Sequence, residues 1–251
     1  LPENAFYMRS EGGAPAPKYS QGEHPAVKAS AAMAKRHKLW LLVGSVSVLS
    51  PSASGGGSIE NKMDARVEPG HDKEKTFNRS LLFNPRGEIA AKYDKIHLFD
   101  VDVGDGQTYR ESARFLAGGR AVTAELPHCT IGMTICYDLR FPQLYRALAK
   151  RGANVLVVPS AFTQVTGEAH WHVLLRARAI ENACFVIAPA QCGEHSGGRN
   201  TYGHSLVVDP WGKVLADGGT EEGLILADLD MAEVKRIRKR LPSLEHDREF
   251  T

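Results

Sequence analysis

The alternation of apolar and polar residues divides the first half of the chain into one helix and several strands. Ala26, Ala29 and Met33 fall on one apolar face of a helix predicted over residues 25–37. An apolar run that becomes alternating follows at once and is typical of a core strand. The turn signal Asn84-Pro85-Arg86-Gly87 favours antiparallel pairing of its neighbours. The predicted strands cover residues 39–49, 76–83, 87–93 and 122–126, and a Gly/Ser-rich loop is expected at residues 51–58.

A β-α-β pattern runs through the second half of the chain. Nearly continuous apolar runs predict strands that are covered on both faces. Pro142 suits the first position of a helix that Gly152 ends, and a second helix is expected over residues 170–182. The predicted strands cover residues 129–135, 153–159, 185–189, 203–209, 214–216 and 223–228, and a helix with the basic run 235–240 on its solvated face follows them.

The two halves together predict the fold class. A mixture of antiparallel hairpins and β-α-β units is typical of an α/β protein built from layers of sheet and helix. A chain of 251 residues is long enough to bury a substantial core, and no internal repeat or linker interrupts it. We therefore expect a single domain over residues 1–251.

Composition and charge exclude several function classes. No stretch approaches the roughly 20 consecutive apolar residues that a membrane-spanning helix needs, so we expect a soluble protein. A net charge of +2 provides no field suited to a nucleic-acid backbone. The four cysteines form no CxxC pair and are too few for a disulfide scaffold, which favours a reducing cytoplasm.

Cys136 is the first candidate for chemistry. It follows a predicted buried strand and precedes a predicted helix, a position that places side chains at the carboxyl edge of a sheet, where ligands bind. A nearby helix N-terminus would favour its thiolate form. On its own, however, a cysteine after an apolar strand is more often a packing residue, so its neighbours must decide.

His170 and His172 form an HxH pair that could suggest zinc. On a helix, side chains two positions apart point about 200° away from each other, and no third ligand motif stands nearby in the sequence. We therefore predict no metal site at this pair.

Three sequence motifs lie along the chain, namely LPEN at residues 1–4, YDKIHLF at residues 93–99 and CYDLRFP at residues 136–142. They resemble the glutamate, lysine and nucleophile motifs of amidases in the nitrilase, or carbon–nitrogen hydrolase, superfamily. The three occur in family order, and the similarity continues to the turn at residues 209–212. The resemblance implies an α-β-β-α sandwich of two sheets.

The resemblance also assigns roles to residues. Glu3 would be the general base, Cys136 the nucleophile that forms a thioester, and Lys95 the cation that stabilises the oxyanion together with the backbone N–H of Tyr137. Glu111 matches a second family glutamate that orients the lysine. Asp138 is better interpreted as a residue that stabilises the turn, and the chemistry requires no metal or cofactor.

The substrate is less defined than the reaction. Arg140 could clamp a substrate carboxylate or form a structural ion pair, and both interpretations stay open. Phe162 and Thr163 are expected to line the same pocket. The Nit branch, which the chain resembles most, implies a small carboxylated amide such as deaminated glutathione or 2-oxoglutaramate. An N-carbamoyl amino acid amidohydrolase, a nitrilase and an inactive interaction scaffold are the alternatives.

Two further expectations follow from the resemblance. Family members pair into dimers, so a homodimer or a larger homo-oligomer is expected. In the family, a strand and a helix precede the glutamate motif, on the order of 30 residues if they form one βα unit. Leu1 is not a methionine, and we expect this opening strand and helix to be missing from the sequence.

Overall fold

The computed structural model describes residues 1–6, 18–50 and 76–248, so the predicted loop at residues 51–58 lies outside the described residues. Within those ranges, no helix is both long and apolar enough to cross a membrane. The helices are α1 (Pro25–His37), α2 (Pro142–Lys150), α3 (Gln164–Asn182) and α4 (Ala232–Arg240). The strands are β1 (Leu41–Leu49), β2 (Thr76–Phe83), β3 (Ile89–Asp94), β4 (Asp100–Asp102), β5 (Thr108–Arg110), β6 (Phe115–Leu116), β7 (Val122–Glu125), β8 (Thr130–Met133), β9 (Val155–Val157), β10 (Phe185–Ala188), β11 (Cys192–His195), β12 (Arg199–Tyr202), β13 (Leu206–Val208) and β14 (Val214–Asp217).

The first sheet is built from the N-terminal strands. β1, β2 and β3 pair antiparallel in that order, and β6 pairs parallel with β2. Because side chains alternate along a strand, β2 faces two cores at once. Leu81 and Phe83 pack with the buried face of α1, whereas Leu82 belongs to the core shared with the second sheet.

The second sheet has six strands in the order β14-β13-β10-β9-β8-β7. The central strands β8, β9 and β10 are parallel, β7 and β13 pair antiparallel with β8 and β10, and β14 pairs antiparallel with β13. Helix α2 packs closely on β8, because a Cβ at Gly132 would lie 3.0 Å from the Leu148 side chain. The layers therefore run α1, first sheet, second sheet, and α2 with α3, which is the predicted α-β-β-α order.

Three expectations differ from the structure. Helix α3 begins at Gln164 rather than at residue 170, because Thr163 caps it and Thr166 supports that cap with its own hydroxyl. Residues 223–228 form no strand among the described residues, and the Leu224 and Leu226 side chains are more than nine-tenths exposed. The two short hairpins β4–β5 and β11–β12 were not predicted, because their strands are only three or four residues long and contain too few apolar residues to give a clear pattern.

Candidate active site

One cavity is lined by Glu3, Lys95 and Cys136, although Glu3 and Cys136 lie 133 positions apart in the sequence. All three are buried, with at most 7% of each residue exposed. Lys95 Nζ lies 2.9 Å from Glu3 Oε1, and the Cys136 thiol is close enough to the Glu3 carboxylate to affect its pKa. A carboxylate, an ammonium and a thiol within hydrogen-bond reach are the groups that acyl transfer through a covalent intermediate needs.

Glu3 is held by its backbone as well as by its side chain. The segment before it crosses β1 so closely that a Cβ at Gly44 would lie 2.2 Å from the carbonyl oxygens of Leu1 and Pro2. Gln191 Nε2 donates to the Glu3 carbonyl oxygen at 3.1 Å. The second carboxylate oxygen, Oε2, accepts the backbone N–H of Ala161 at 3.1 Å.

The charge of Lys95 is balanced by two carboxylates. Lys95 follows β3 directly, and its Nζ lies 2.9 Å from Glu3 Oε1 and 2.8 Å from Glu111 Oε2. Burial alone would lower the pKa of Lys95, but the charges of Glu111 and Glu3 outweigh it and raise the pKa well above its usual value. Lys95 is therefore a permanent cation at neutral pH.

The ionisation of Glu3 follows from the same contacts. Burial acts to raise the pKa of Glu3, but the charge of Lys95 and hydrogen bonds from Lys95, Cys136 and Asn78 lower it below its usual value. The Glu3 side chain is therefore a carboxylate at neutral pH, ready to accept a proton.

Asn78 is a site residue that sequence reasoning missed. It lies on β2, is buried, and donates from Nδ2 to both Glu3 Oε1 and Glu111 Oε1, each at 2.9 Å. Its backbone carbonyl also accepts the N–H of Lys95 at 3.0 Å. Asn78 lies in the polar first half of β2, with Arg79 and Ser80 beside it, so its sequence position gave no distinct signal.

Cys136 occupies a sharp turn after β8. Its φ of 45° lies in the left-handed region, and its N–H donates to the Pro159 carbonyl at 3.0 Å. Burial raises the pKa of the thiol most, and the Glu3 charge adds to this, while Lys95 and the Ala161 N–H act in the opposite direction. The pKa lies well above its usual value, so the expected thiolate preference is wrong for this structure. Burial and the negative charge of Glu3 disfavour the thiolate more strongly than Lys95 and the Ala161 N–H favour it.

Asp138 stabilises the turn after the nucleophile, as predicted. Its side chain is fully buried and accepts the Tyr93 hydroxyl at 2.6 Å, the Ile135 N–H at 2.9 Å and the His97 N–H at 3.1 Å. Tyr93 and His97 flank Lys95 in the sequence. Asp138 therefore connects the lysine segment to the cysteine turn without taking part in the contact among Glu3, Lys95 and Cys136.

Tyr137 lies in the first turn of the short 3-10 helix Cys136–Arg140. Backbone N–H groups at the start of a helix lack partners within the helix, so the Tyr137 N–H is suited to bind an oxyanion beside the cysteine. The Tyr137 ring packs edge-on against Phe99 and Phe141 at 5.0 and 5.4 Å between centroids. These ring contacts fix the turn.

The cavity has a volume of about 650 Å³, large enough for a ligand of several linked groups. Phe162 and Thr163 line it, as does Arg199 on β12, which sequence reasoning also missed. The Arg199 guanidinium lies 4.7 Å from the Tyr109 ring centroid. An arginine in a cavity wall can bind an anionic substrate group.

Arg140 lies beside this cavity rather than in its lining. Its guanidinium is 5.3 Å from the Phe162 ring centroid and 6.0 Å from that of Tyr137, and its NH1 atom lies 3.2 Å from His170 Nδ1. No acidic residue forms an ion pair with Arg140 in the described part of the chain. Substrate binding by Arg140 stays a prediction.

Comparison with known proteins adds an independent line of support. A sequence profile described as carbon–nitrogen hydrolase matches residues 1–239. The chain belongs to the carbon–nitrogen hydrolase family. The resemblance of the three motifs to this family is thereby confirmed.

The relatives extend this result along most of the chain. The deaminated glutathione amidase of Yersinia enterocolitica is 39% identical over 248 residues, 98% of this chain and 80% of the relative. That of Synechocystis sp. is 51% identical over 174 residues, 68% of this chain, so the match spans only 64% of that relative. The crystal structure of the C. elegans NitFhit protein has a TM-score of 0.75 at 36% identity and covers 89% of this chain and 50% of that chain. The predicted fold class is confirmed.

Proposed function

We propose that this carbon–nitrogen hydrolase is an amidase that cleaves the C–N bond of a small carboxylated amide through a thioester on Cys136. The observation that carries the proposal is the contact of the Cys136 thiol and Lys95 Nζ with the same carboxylate, that of Glu3. A base, a nucleophile and a cation brought together in this way match the needs of amide hydrolysis.

The first half-reaction transfers the acyl group to the enzyme. The thiol is neutral at rest, so Glu3 removes its proton as Cys136 Sγ attacks the amide carbonyl. The oxyanion that forms is stabilised by the Lys95 ammonium and the Tyr137 N–H. Its collapse breaks the C–N bond, and the proton held by Glu3 passes to the departing nitrogen, which leaves as ammonia or an amine.

The second half-reaction uses the same groups in reverse. Glu3, again a carboxylate, removes a proton from water, and the resulting nucleophile attacks the thioester carbonyl. Collapse of this intermediate releases the carboxylic acid, and Cys136 recovers its proton. Lys95 stabilises both oxyanions without changing its own protonation state, which fits its raised pKa.

Glu111 positions Lys95. Both of its oxygens accept hydrogen bonds from Lys95 Nζ, at 3.1 and 2.8 Å, and Oε2 also accepts the N–H of Phe99 at 2.7 Å. These contacts fix the ammonium at the cavity wall. Glu111 also supplies a second negative charge, so the ammonium stays protonated when Glu3 is neutralised during the reaction.

Deaminated glutathione and 2-oxoglutaramate are the substrates we propose. The relatives from Synechocystis sp. and Yersinia enterocolitica are named after the first, and the cavity of about 650 Å³ has room for its peptide-like leaving group. Deaminated glutathione carries a 2-oxo acid at one end and a glycine carboxylate at the other. Arg140 is proposed to bind the 2-oxo carboxylate and Arg199 the glycine carboxylate.

The test compares wild-type protein with Cys136→Ala on both substrates, with the products separated by mass spectrometry. Cys129→Ala is the matched control, because Cys129 lies outside the cavity. We expect turnover to vanish in Cys136→Ala and to persist in Cys129→Ala. Unchanged turnover by Cys136→Ala would exclude the thioester mechanism, and the absence of turnover by wild-type protein on any amide would favour an inactive scaffold.

The same assay separates the enzymatic alternatives. An N-carbamoyl amino acid amidohydrolase would release carbon dioxide and ammonia from an N-carbamoyl amino acid, and a nitrilase would convert a nitrile to its acid. Preference for either substrate over the two carboxylated amides would replace our substrate assignment while leaving the roles of Glu3, Lys95 and Cys136 in place.

We further propose a homodimer that works in the cytoplasm. The outer layer of the molecule carries exposed apolar residues on α3, namely Val165, Val173 and Ile180, which are 48%, 68% and 43% exposed. A contact with a second copy of the chain would bury this face. Cys129, Cys136, Cys184 and Cys192 are all free thiols in the structure, which suits a reducing compartment.

A further inference from the structure

A second cluster of chemically active side chains lies at the β14 edge of the six-stranded sheet. His172 lies on α3, His204 in the segment between β12 and β13, and Asp217 at the end of β14. His172 Nε2 is 3.0 Å from Asp217 Oδ2, and His204 Nδ1 is 2.9 Å from Asp217 Oδ1. None of the three lines the catalytic cavity, so the proposed amidase chemistry does not use them.

The donor atoms of this cluster converge. The two imidazole nitrogens and the carboxylate oxygen all lie within 4.8 Å of one another. A tetrahedral ion with bonds of about 2.1 Å holds its ligand atoms roughly 3.4 Å apart, so small side-chain movements are enough to place all three around an ion. Two histidines and one carboxylate suit a borderline cation of the zinc class better than magnesium or calcium.

The surroundings hold two of these ligands in place. The Tyr202 ring stacks on the His204 ring with centroids 4.5 Å apart, and Trp171 Nε1 donates to the His204 carbonyl at 2.8 Å. The N–H of Gly219 donates to Asp217 Oδ1 at 2.9 Å. Contacts of this kind orient ligands before a metal binds and reduce the entropy lost on binding.

The cluster is also open to solvent. The three side chains are between 23% and 34% exposed, so an ion can enter and water can complete its coordination. We propose that His172, His204 and Asp217 form a binding site for a divalent transition-metal ion of the zinc class, which connects α3 to the β13–β14 edge. The HxH pair does not act as one unit, since His170 contacts Arg140 instead.

The test measures Zn²⁺ bound per chain by equilibrium dialysis and elemental analysis, using the full chain. The site variants are Asp217→Asn, which preserves the side-chain shape, and His204→Ala. His170→Ala is the matched control, because it removes a histidine from the same helix but not from the cluster. Thiols also bind Zn²⁺, and because all variants keep every cysteine, that contribution cancels in the comparison.

We expect wild-type protein and His170→Ala to bind one more ion per chain than Asp217→Asn and His204→Ala. Saturating Zn²⁺ is expected to raise the thermal midpoint by roughly 5 °C more in the first pair than in the second. Co²⁺ bound at the site is expected to absorb without the sulfur-to-metal charge-transfer bands that thiolate ligands give. Equal stoichiometry in all four proteins, or thiolate bands that account for all bound Co²⁺, would overturn the proposal.

Discussion

Asn78 is the residue whose removal tests the shared carboxylate network most directly. Asn78→Ala removes a buried donor that Glu3 and Glu111 share. A buried charged group that loses such a hydrogen bond costs about 1.5–3 kcal/mol, so kcat is expected to fall on the order of 10- to 100-fold with a smaller change in KM. Steady-state kinetics on a cleaved amide measure both constants.

A positioning role for Asn78 also predicts a shift in pH dependence. Asn78 helps to lower the pKa of Glu3, so its loss is expected to move the acid limb of kcat/KM to higher pH. Asn200→Ala, which removes an exposed asparagine on β12, is the control and should leave the profile unchanged. If kcat falls but the acid limb of kcat/KM stays at the same pH, Asn78 supports the folded structure and does not set the pKa of Glu3.

The ionisation of Glu3, Cys136 and Lys95 predicts a broad pH plateau. The proposed mechanism needs Glu3 charged, Cys136 protonated and Lys95 charged. The pKa of Glu3 lies below its usual value, and those of Cys136 and Lys95 lie well above theirs. Activity is thus expected to fall only as pH drops through the Glu3 pKa or rises through the Cys136 and Lys95 values. The kcat/KM profile should be flat from about pH 5 to 9, and a limb near pH 7 would contradict these assignments.

Arg199 predicts a substrate-dependent effect. Arg199→Ala is expected to lower kcat/KM for deaminated glutathione by about tenfold or more, because a charge-assisted contact with the glycine carboxylate is lost. The value for 2-oxoglutaramate, which lacks that carboxylate, is expected to change little. Arg86→Ala removes an exposed arginine from the β2–β3 turn as a control. Equal losses on both substrates would argue against a contact with the distal carboxylate.

Residues within the three motifs could be predicted from sequence, whereas their supporting residues could not. Glu3, Lys95 and Cys136 were selected because their neighbours form recognisable motifs. Asn78 and Arg199 stand in no such motif, and their roles arise only when β2 and β12 are brought to the cavity. The pKa of Cys136 was predicted in the wrong direction, because burial depends on the whole fold and not on the adjacent turn.

At the scale of elements, the crossing of the N-terminal segment over β1 determines where Glu3 lies. In Gly44→Ala, the added Cβ would lie 2.2 Å from two backbone oxygens, so the segment must move away from the strand. We expect turnover to fall by more than tenfold, since a displacement on the order of 1 Å at a catalytic group can cost that much. Amide hydrolysis and far-ultraviolet circular dichroism are the measurements.

Gly22→Ala is the control for this substitution, because a Cβ there meets no atom within 4 Å. It should retain both activity and secondary structure. If Gly44→Ala kept full turnover, Glu3 would not need the close crossing, and its placement would have to depend on Ala161 and Gln191 instead.

Element boundaries were predictable where local patterns agree with packing. Helix α1 matches its predicted range, and His24 caps its start. Its buried stripe is Ala26, Val27, Ser30 and Ala34, so the predicted apolar face was wrong at Ala29 and Met33, which are exposed. The start of α3 was missed, since Thr166 and Gly167 do not resemble helix interior. Gly167 is needed there because a Cβ would lie 2.2 Å from the Tyr202 side chain. Residues 223–228 contain an apolar run typical of a strand, but such a run needs a partner strand before it can join a sheet.

At the scale of the whole molecule, the site depends on both sheets. The first sheet contributes Asn78 and the Lys95 segment, and the second contributes the turns after β8 and β9 that carry Cys136 and Ala161. Glu3, Lys95 and Cys136 therefore meet only when the sheets pack face to face. That packing unites the N-terminal and C-terminal halves, which favours the single domain over residues 1–251 that the sequence predicts.

The exposed apolar face of α3 gives the prediction that belongs to the assembly. If this face contacts a second copy, Val173→Glu places a charge in the interface and converts the dimer to a monomer in light scattering coupled to size-exclusion chromatography. Met33→Glu is the control, because Met33 is 49% exposed on α1, in the opposite helical layer.

A monomer from Met33→Glu and a dimer from Val173→Glu would place the contact on the α1 layer. A wild-type chain that is monomeric in the same measurement would contradict the proposed dimer. Because the α3 cap residue Thr163 lines the cavity and α3 carries His170 beside Arg140, loss of the contact is also expected to weaken substrate binding, seen as a rise in KM.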